Sequence, residues 1–274
     1  MNFIKTMSPF LFAFVMLFAI GLFMLIPIES LFDNKNISKF EFEYINIFIK
    51  MGLLFIFCYI IIVKLGLTTI TGLSSKYKWK FKYLNLIPIY LFIIGLLTLA
   101  SKDISQIQPS NLLILLLGCL AVGFGEEFMF RGLLQSLFLK RYIKHGRGLF
   151  LGVFIPALFF GLFHLVNLIN SQEVLPVLIQ VVFATFIGFF FGVLVLKTNK
   201  LIPLAITHGL INFFLSLQTL PSLNDTSINN ASNEGIGEAL GPLILFLPLF
   251  IIGLFIIKKM NKESTQEKLN ESFD

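Results

Sequence analysis

Apolar and polar positions fall in long blocks along the chain, not in the short periods of a soluble helix or strand. Eight apolar runs, at roughly 8–28, 45–63, 83–100, 111–139, 149–169, 174–196, 201–219 and 240–257, each come near the ~20 residues that a helix needs to cross a bilayer. The first run begins just after Lys5. It is long for a signal peptide and no small-residue cleavage site follows it, so it reads as a retained span.

The connections between runs alternate in charge. The first carries Glu29, Asp33, Glu41 and Glu43 against Lys35 and Lys39, and the second carries Lys64, Lys76, Lys78, Lys80 and Lys82 with no acid. Lys102 and Asp103 come next, then Lys140, Arg141, Lys144 and Arg147, then Glu173 alone, then Lys197 and Lys200. The seventh connection holds Asp225, Glu234 and Glu238, and the tail opens with Lys258, Lys259 and Lys262. By the positive-inside rule both termini and every even-numbered connection are expected in the cytoplasm. The basic stretch 66–82, with Trp79 and Tyr77 and followed by Tyr83, suits the headgroup boundary. Residues 220–239, rich in Asn, Ser, Asp and Gly, read as a flexible external loop. The tail after Lys262 reads as a short solvated extension, and no internal repeat is visible.

Composition agrees. The chain has 274 residues, of which 57% are hydrophobic and 13% charged, and a mean hydropathy of +0.89. A soluble domain is about a quarter charged, so the fold class expected is an all-α membrane protein, a bundle of eight transmembrane helices. The 34 Phe residues read as lipid-facing surface. The net charge of +6 reflects loop topology and not a nucleic-acid partner. Cys58 and Cys119 fall within spans and match no zinc spacing, so they read as inert packing residues.

One span breaks the apolar pattern. Gly-Glu-Glu-Phe-Met-Phe-Arg-Gly, residues 125–132, puts Glu126, Glu127 and Arg131 where one charge costs roughly 2.5–3.5 kcal/mol to insert. Glu127 and Arg131 are four apart and share a helical face, so they can neutralise each other. Glu126 points about 100° away and has no obvious partner on its own helix. Such a carboxylate takes up a proton or finds a cation, a metal or a histidine elsewhere.

Two histidines lie in other spans. His164 is in Phe160-Gly-Leu-Phe-His-Leu-Val-Asn167, and His208 is in Thr207-His-Gly-Leu-Ile-Asn212. His208 and Asn212 share one helical face. A carboxylate, two imidazoles and an amide from three helices make a possible site for a divalent metal and an activated water. Counting along the spans puts Glu126, Glu127 and Asn212 near mid-depth, His208 a turn to the cytoplasmic side, and His164 closer to the external end. Gly123, Gly125, Gly132, Gly161 and Gly209 flank these positions and would let the helices approach closely. Gly188 and Gly192 read as packing alone, Phe160 as packing, Asn167 and Asn170 as boundary residues, and His145 as a solvated loop residue.

Taken together, Glu126-Glu127-x-x-x-Arg131, Phe160-x-x-x-His164 and His208-x-x-x-Asn212, in this order and on separate helices, resemble the CPBP intramembrane endopeptidases. That family includes the type II CAAX prenyl endopeptidases and proteins of bacteriocin processing or self-immunity. The resemblance covers residues 120–215 and implies an eight-helix bundle with an intramembrane polar cavity. It implies catalytic roles for Glu126, His164, His208 and Asn212: Glu126 with His164 would activate a water, and His208 with Asn212 would stabilise an oxyanion or bind a metal. Glu127 and Arg131 would shape the site. The metal implied is divalent, zinc being the expected ion, with Glu126, His164 and His208 as its ligands; nothing in the residues themselves identifies zinc.

The expected organisation is a set of N-terminal helices with the basic interfacial segment (1–110), a catalytic core (111–220), and an external loop, last span and cytoplasmic tail (221–274). The expected function is hydrolysis of a peptide bond in a membrane-associated or lipidated peptide. The partners are then a peptide or protein substrate and the lipid bilayer, and the Phe-, Ile- and Lys-rich composition suits a bacterial cell membrane. The competing reading is a non-proteolytic immunity protein, or an ion or peptide transporter using the same polar site.

Overall fold

A computed structural model of the protein describes residues 7–27, 37–101, 107–169, 174–221 and 236–273. The expected charges at Glu29, Asp33, Lys35, Lys102, Asp103, Glu173, Asp225 and Glu234, together with Asn170 and most of the external loop 220–239, lie outside the described residues.

Each of the eight apolar runs is helical. The main elements are α1 (Pro9–Met24), α2 (Lys39–Lys64), α3 (Ile89–Thr98), α4 (Pro109–Glu127), α5 (Gln135–Tyr142), α6 (Gly148–Phe163), α7 (Val174–Thr198), α8 (Ile202–Leu215), α9 (Ile236–Lys258) and α10 (Lys262–Phe273). No strand occurs among the described residues. Helices α4 and α5 join through a π-helical turn, Phe128–Leu134, into one continuous span, Pro109–Tyr142. Five of the described helices are long and apolar enough to cross a membrane, while Pro9–Met24, Lys82–Thr98 and Ile202–Leu215 are apolar but shorter. Length and composition alone therefore support five crossings of the eight expected.

Local chemistry sets the helix starts. Pro9 and Pro109 open α1 and α4, where a missing N–H costs nothing. Ser38 caps α2 in a reciprocal box: the Glu41 amide donates to Ser38 Oγ at 3.2 Å, and the Ser38 amide donates to Glu41 Oε2 at 2.9 Å. Lys50 is a charge within the second apolar run that the pattern alone does not explain. Its ammonium donates to the Met24 carbonyl at the end of α1, at 2.6 Å, so one helix terminus takes the charge of another helix.

Packing centres on the α4–α5 span. Helix α4 lies between α2 and α8, α5 packs on α6, and α7 lies between α6 and α9. The phenylalanines divide between two surfaces, which corrects their reading as lipid-facing residues. Phe14, Phe18 and Phe255 are exposed, but Phe128, Phe130, Phe138, Phe189, Phe190 and Phe191 are fully buried. Helices packed face to face need bulky side chains between them as much as the lipid does.

The tail also differs from expectation. Residues 262–273 form α10, a helix docked on the bundle and not a solvated extension, with Thr265, Lys268, Leu269 and Ser272 buried. Ser272 Oγ accepts from the Ile70 amide at 3.1 Å, and Glu271 pairs with Lys76 at 2.7 Å. That hydrogen bond holds the Glu271 carboxyl below its usual range and raises the Lys76 ammonium. Lys268 donates to Asn199 Oδ1. The basic stretch 66–82 is thus clamped between α10 and the end of α7, where the Lys80 amide also donates to the Thr198 carbonyl at 3.0 Å.

Candidate functional site

The three motifs meet where α4, the π-turn, α6 and α8 converge. Glu127 and Arg131 pair as their spacing predicts, Nη1 to Oε1 at 2.8 Å, both almost fully buried. The same Oε1 accepts from His208 Nδ1 at 2.8 Å. Glu127 therefore serves two groups, one on its own span and one on α8, a second partner that linear spacing could not reveal. An imidazole that donates through Nδ1 presents Nε2 in a known direction. Here Nε2 faces Glu126 Oε2 at 3.6 Å, so the carboxylate without a partner on its own helix finds one on α8.

This approach depends on two glycines. A Cβ on Gly123 would meet the Ala205 carbonyl oxygen and the Gly209 amide nitrogen at 2.5 Å, and one on Gly209 would meet Leu120 Cα at 2.8 Å. Helices α4 and α8 cross backbone to backbone one turn from Glu126 and beside His208. Gly188 and Gly192 do more than pack helices: a Cβ on Gly188 would meet Arg131 Nη2 at 3.1 Å, and one on Gly192 would collide with Gln135 Oε1. Both make room for polar groups, and Gln135, itself buried, donates to the Gly192 carbonyl at 2.9 Å.

Phe160 is more central than its packing role predicted. Its ring lies under the Arg131 guanidinium at 4.5 Å and edge-on to His164 and His208 at 5.1 and 6.0 Å. A desolvated cation over a ring face gains about 2 kcal/mol. Its carbonyl accepts from His164 Nδ1 at 3.0 Å, which leaves Nε2 of the neutral ring as the free lone pair. Phe191, which no motif marked, stands 5.3 Å from His208 and 5.7 Å from Arg131.

Glu126, His164, His208 and Asn212 all line one cavity of about 710 Å³. Its inner end is at Glu126 and His208, 9% and 4% exposed. His164 sits at the start of the short helical turn that follows α6 and is less buried than Glu126 and His208. Asn167, Gln180, Ser216 and Gln218 continue the wall, and of these only Asn167 was singled out from the sequence. Among the described residues no group of three or more His, Cys, Asp and Glu side chains is placed to hold a metal ion. Glu127 Oε1 is committed to Arg131 and His208, and His164 Nδ1 to a carbonyl. With both rings bonded through Nδ1, the atoms that would face a metal are Nε2 of His164 and of His208 and the Glu126 carboxylate.

One comparison with known proteins covers this region. Residues 108–214 match the family described as type II CAAX prenyl endopeptidase Rce1-like. No curated protein and no solved structure matches the chain. The matched segment holds all three motifs and the residues that meet at the inner end of the cavity. With its five apolar helices long enough to cross a bilayer, the chain is a multi-pass membrane protein whose residues 108–214 are similar to the type II CAAX prenyl endopeptidases.

Proposed function

We propose that the protein is an intramembrane endopeptidase that hydrolyses a peptide bond of a membrane-associated or lipidated peptide with an activated water. The observation that carries this reading is the 3.6 Å approach of Glu126 to His208 at the inner end of a cavity that His164 and Asn212 also line. The Glu126 carboxylate, with His164 Nε2, takes a proton from water, and the resulting hydroxide attacks the scissile carbonyl carbon. The carbonyl oxygen becomes an oxyanion, which the Asn212 amide stabilises together with His208 as an imidazolium, its Nδ1–H on Glu127 and its Nε2–H on the oxyanion. The proton held by Glu126 then passes to the departing amine as the C–N bond breaks. Glu127 and Arg131 act one step back, by fixing the His208 ring.

The divalent metal that the family resemblance implies would need Glu126, His164 and His208 as ligands, and the mechanism assigns it no step. The proposed setting is a bacterial cell membrane with both termini in the cytoplasm, and residues 111–220 as the catalytic core. Detergent-purified protein is to be incubated with candidate membrane peptides, with and without chelator, and the products read by mass spectrometry. Glu126→Gln and His164→Ala are expected to lower turnover by at least 10²-fold with the thermal midpoint unchanged. Normal turnover in either variant would remove that residue from the proton-transfer step. A non-proteolytic immunity protein or transporter could use the same buried pair in a proton relay, and it would yield no cleaved product from any peptide.

A further inference from the structure

Among the described residues, the exposed part of the cavity wall lies towards one end of the bundle, and that end is opposite the lysines. Six helices contribute to the wall from the same side: Ile47 in the first half of α2, Thr98 at the end of α3, Asn167 just beyond α6, Gln180 near the start of α7, Gln218 just beyond α8 and Pro242 in the first half of α9. Exposure rises along this path, from buried Glu126 and His208 to exposed Asn167 and Gln218. Behind Glu126 the bundle is closed by Arg131, Gln135, Phe128 and Phe130, each at most 3% exposed. Among the described residues no passage through this floor is open to a peptide.

The opposite ends of the same helices carry the positive charge. Helix α2 ends at Lys64, α5 holds Lys140 and Arg141 in its last turn, α7 ends beside Lys197, and α9 ends at Lys258. Hydrogen bonds tie these ends into one surface. Lys200 Nζ donates to the Ser74 carbonyl and Lys262 Nζ to the His145 carbonyl, both at 2.9 Å. By the positive-inside rule that surface faces the cytoplasm.

We propose that the site takes its substrate from the extracytoplasmic face: an exported peptide, or the outward part of a membrane-anchored one, and not a lipidated C-terminus presented in the cytoplasm. This rests on the endopeptidase reading for the word substrate, but the face on which the cavity opens does not. The lining defines the chemistry of the segment. Besides Glu126 and the two histidines it is apolar or neutral, with amides towards the mouth, where Asn167 Nδ2 donates to Gln180 Oε1 at 2.9 Å. An uncharged, largely apolar peptide stretch fits such a wall. The volume lies within the roughly 300–1,000 Å³ usual for ligand sites.

The test uses the full chain in native membranes. Asn167→Cys and Gln218→Cys mark the mouth and Lys144→Cys marks the basic end. The native Cys58 and Cys119 are buried, so the unsubstituted protein gives the background. With a membrane-impermeant maleimide, the two mouth variants are expected to label at least tenfold faster in intact cells than in inverted vesicles, and Lys144→Cys the reverse. Labelling of the mouth variants from the cytoplasmic face overturns the proposal. In a second arm, a membrane-impermeant tagged peptide of neutral, apolar sequence is added to right-side-out and to inverted vesicles, with Glu126→Gln as control. Cleavage at least tenfold greater in right-side-out vesicles supports the proposal, and cleavage confined to inverted ones overturns it. If no peptide is cleaved on either face, the endopeptidase reading fails while the labelling still decides which face the mouth opens on.

Discussion

At the scale of single residues, the informative group is Glu127, which its spacing marks only as half of an ion pair. It holds Arg131 on one side and His208 on the other, fully enclosed. Removing one partner of such a buried pair leaves a charge without water or a counter-charge, at a cost of about 3–5 kcal/mol. Glu127→Gln is therefore expected to lower the thermal midpoint in detergent as well as activity, whereas Glu126→Gln lowers activity alone. An unchanged midpoint in Glu127→Gln would show that the Arg131 charge is met elsewhere. The separation arises because Glu126 faces a cavity and Glu127 faces only protein. Adjacent positions in the sequence thus have opposite consequences when neutralised, since a helix turns them about 100° apart.

Among the elements, the decisive contact is the crossing of α4 and α8. Gly123→Ala would place a methyl at 2.5 Å from the Ala205 carbonyl oxygen and the Gly209 amide nitrogen, and backbone atoms cannot swing aside as side chains do. The helices must separate, and the Glu126–His208 distance with them. A shift of about 1 Å costs on the order of 10²-fold in rate, so turnover is expected to fall about that far in a protein that still folds, measured against Gly52→Ala. A Cβ on Gly52 meets nothing within 4 Å, and that variant is expected to keep its activity and gain up to about 1 kcal/mol of helix propensity. The π-turn Phe128–Leu134 belongs to the same scale. It widens the helix directly after the two glutamates, the kind of irregularity that collects at functional sites.

For the molecule as a whole, the basic end is a built surface and not a set of loose loops. Docked α10 buries Leu269 to 2% exposure, a side chain whose burial is worth about 1.5–3 kcal/mol. Truncation after Asn261 is expected to lower the thermal midpoint by that contact and by the lost Ser272 hydrogen bond. Turnover per folded molecule should stay unchanged, because α10 docks at the closed end and supplies nothing to the cavity wall. A truncated protein with normal stability but no turnover would place α10 in the catalytic machinery instead.

Much of this was legible in the linear pattern, for a physical reason. A bilayer demands about 20 apolar residues for each crossing, so the eight runs and their charge-alternating connections mark themselves, and ionisable residues inside them are costly enough to single out Glu126, Glu127, Arg131, His164 and His208. The three shorter helices and the docked tail were less legible, since helix ends and amphipathic surface packing depend on neighbours far along the chain. What only the tertiary structure decided was the pairing. Glu126 meets His208 across 82 positions, Glu127 serves two partners, Phe160 lies under the Arg131 guanidinium, and all of the cavity's exposed wall lies towards one end of the bundle. Residue order carries the chemistry of each side chain, but the distance between two helices is set by backbone contact at Gly123 and Gly209, and that distance exists only in the folded bundle.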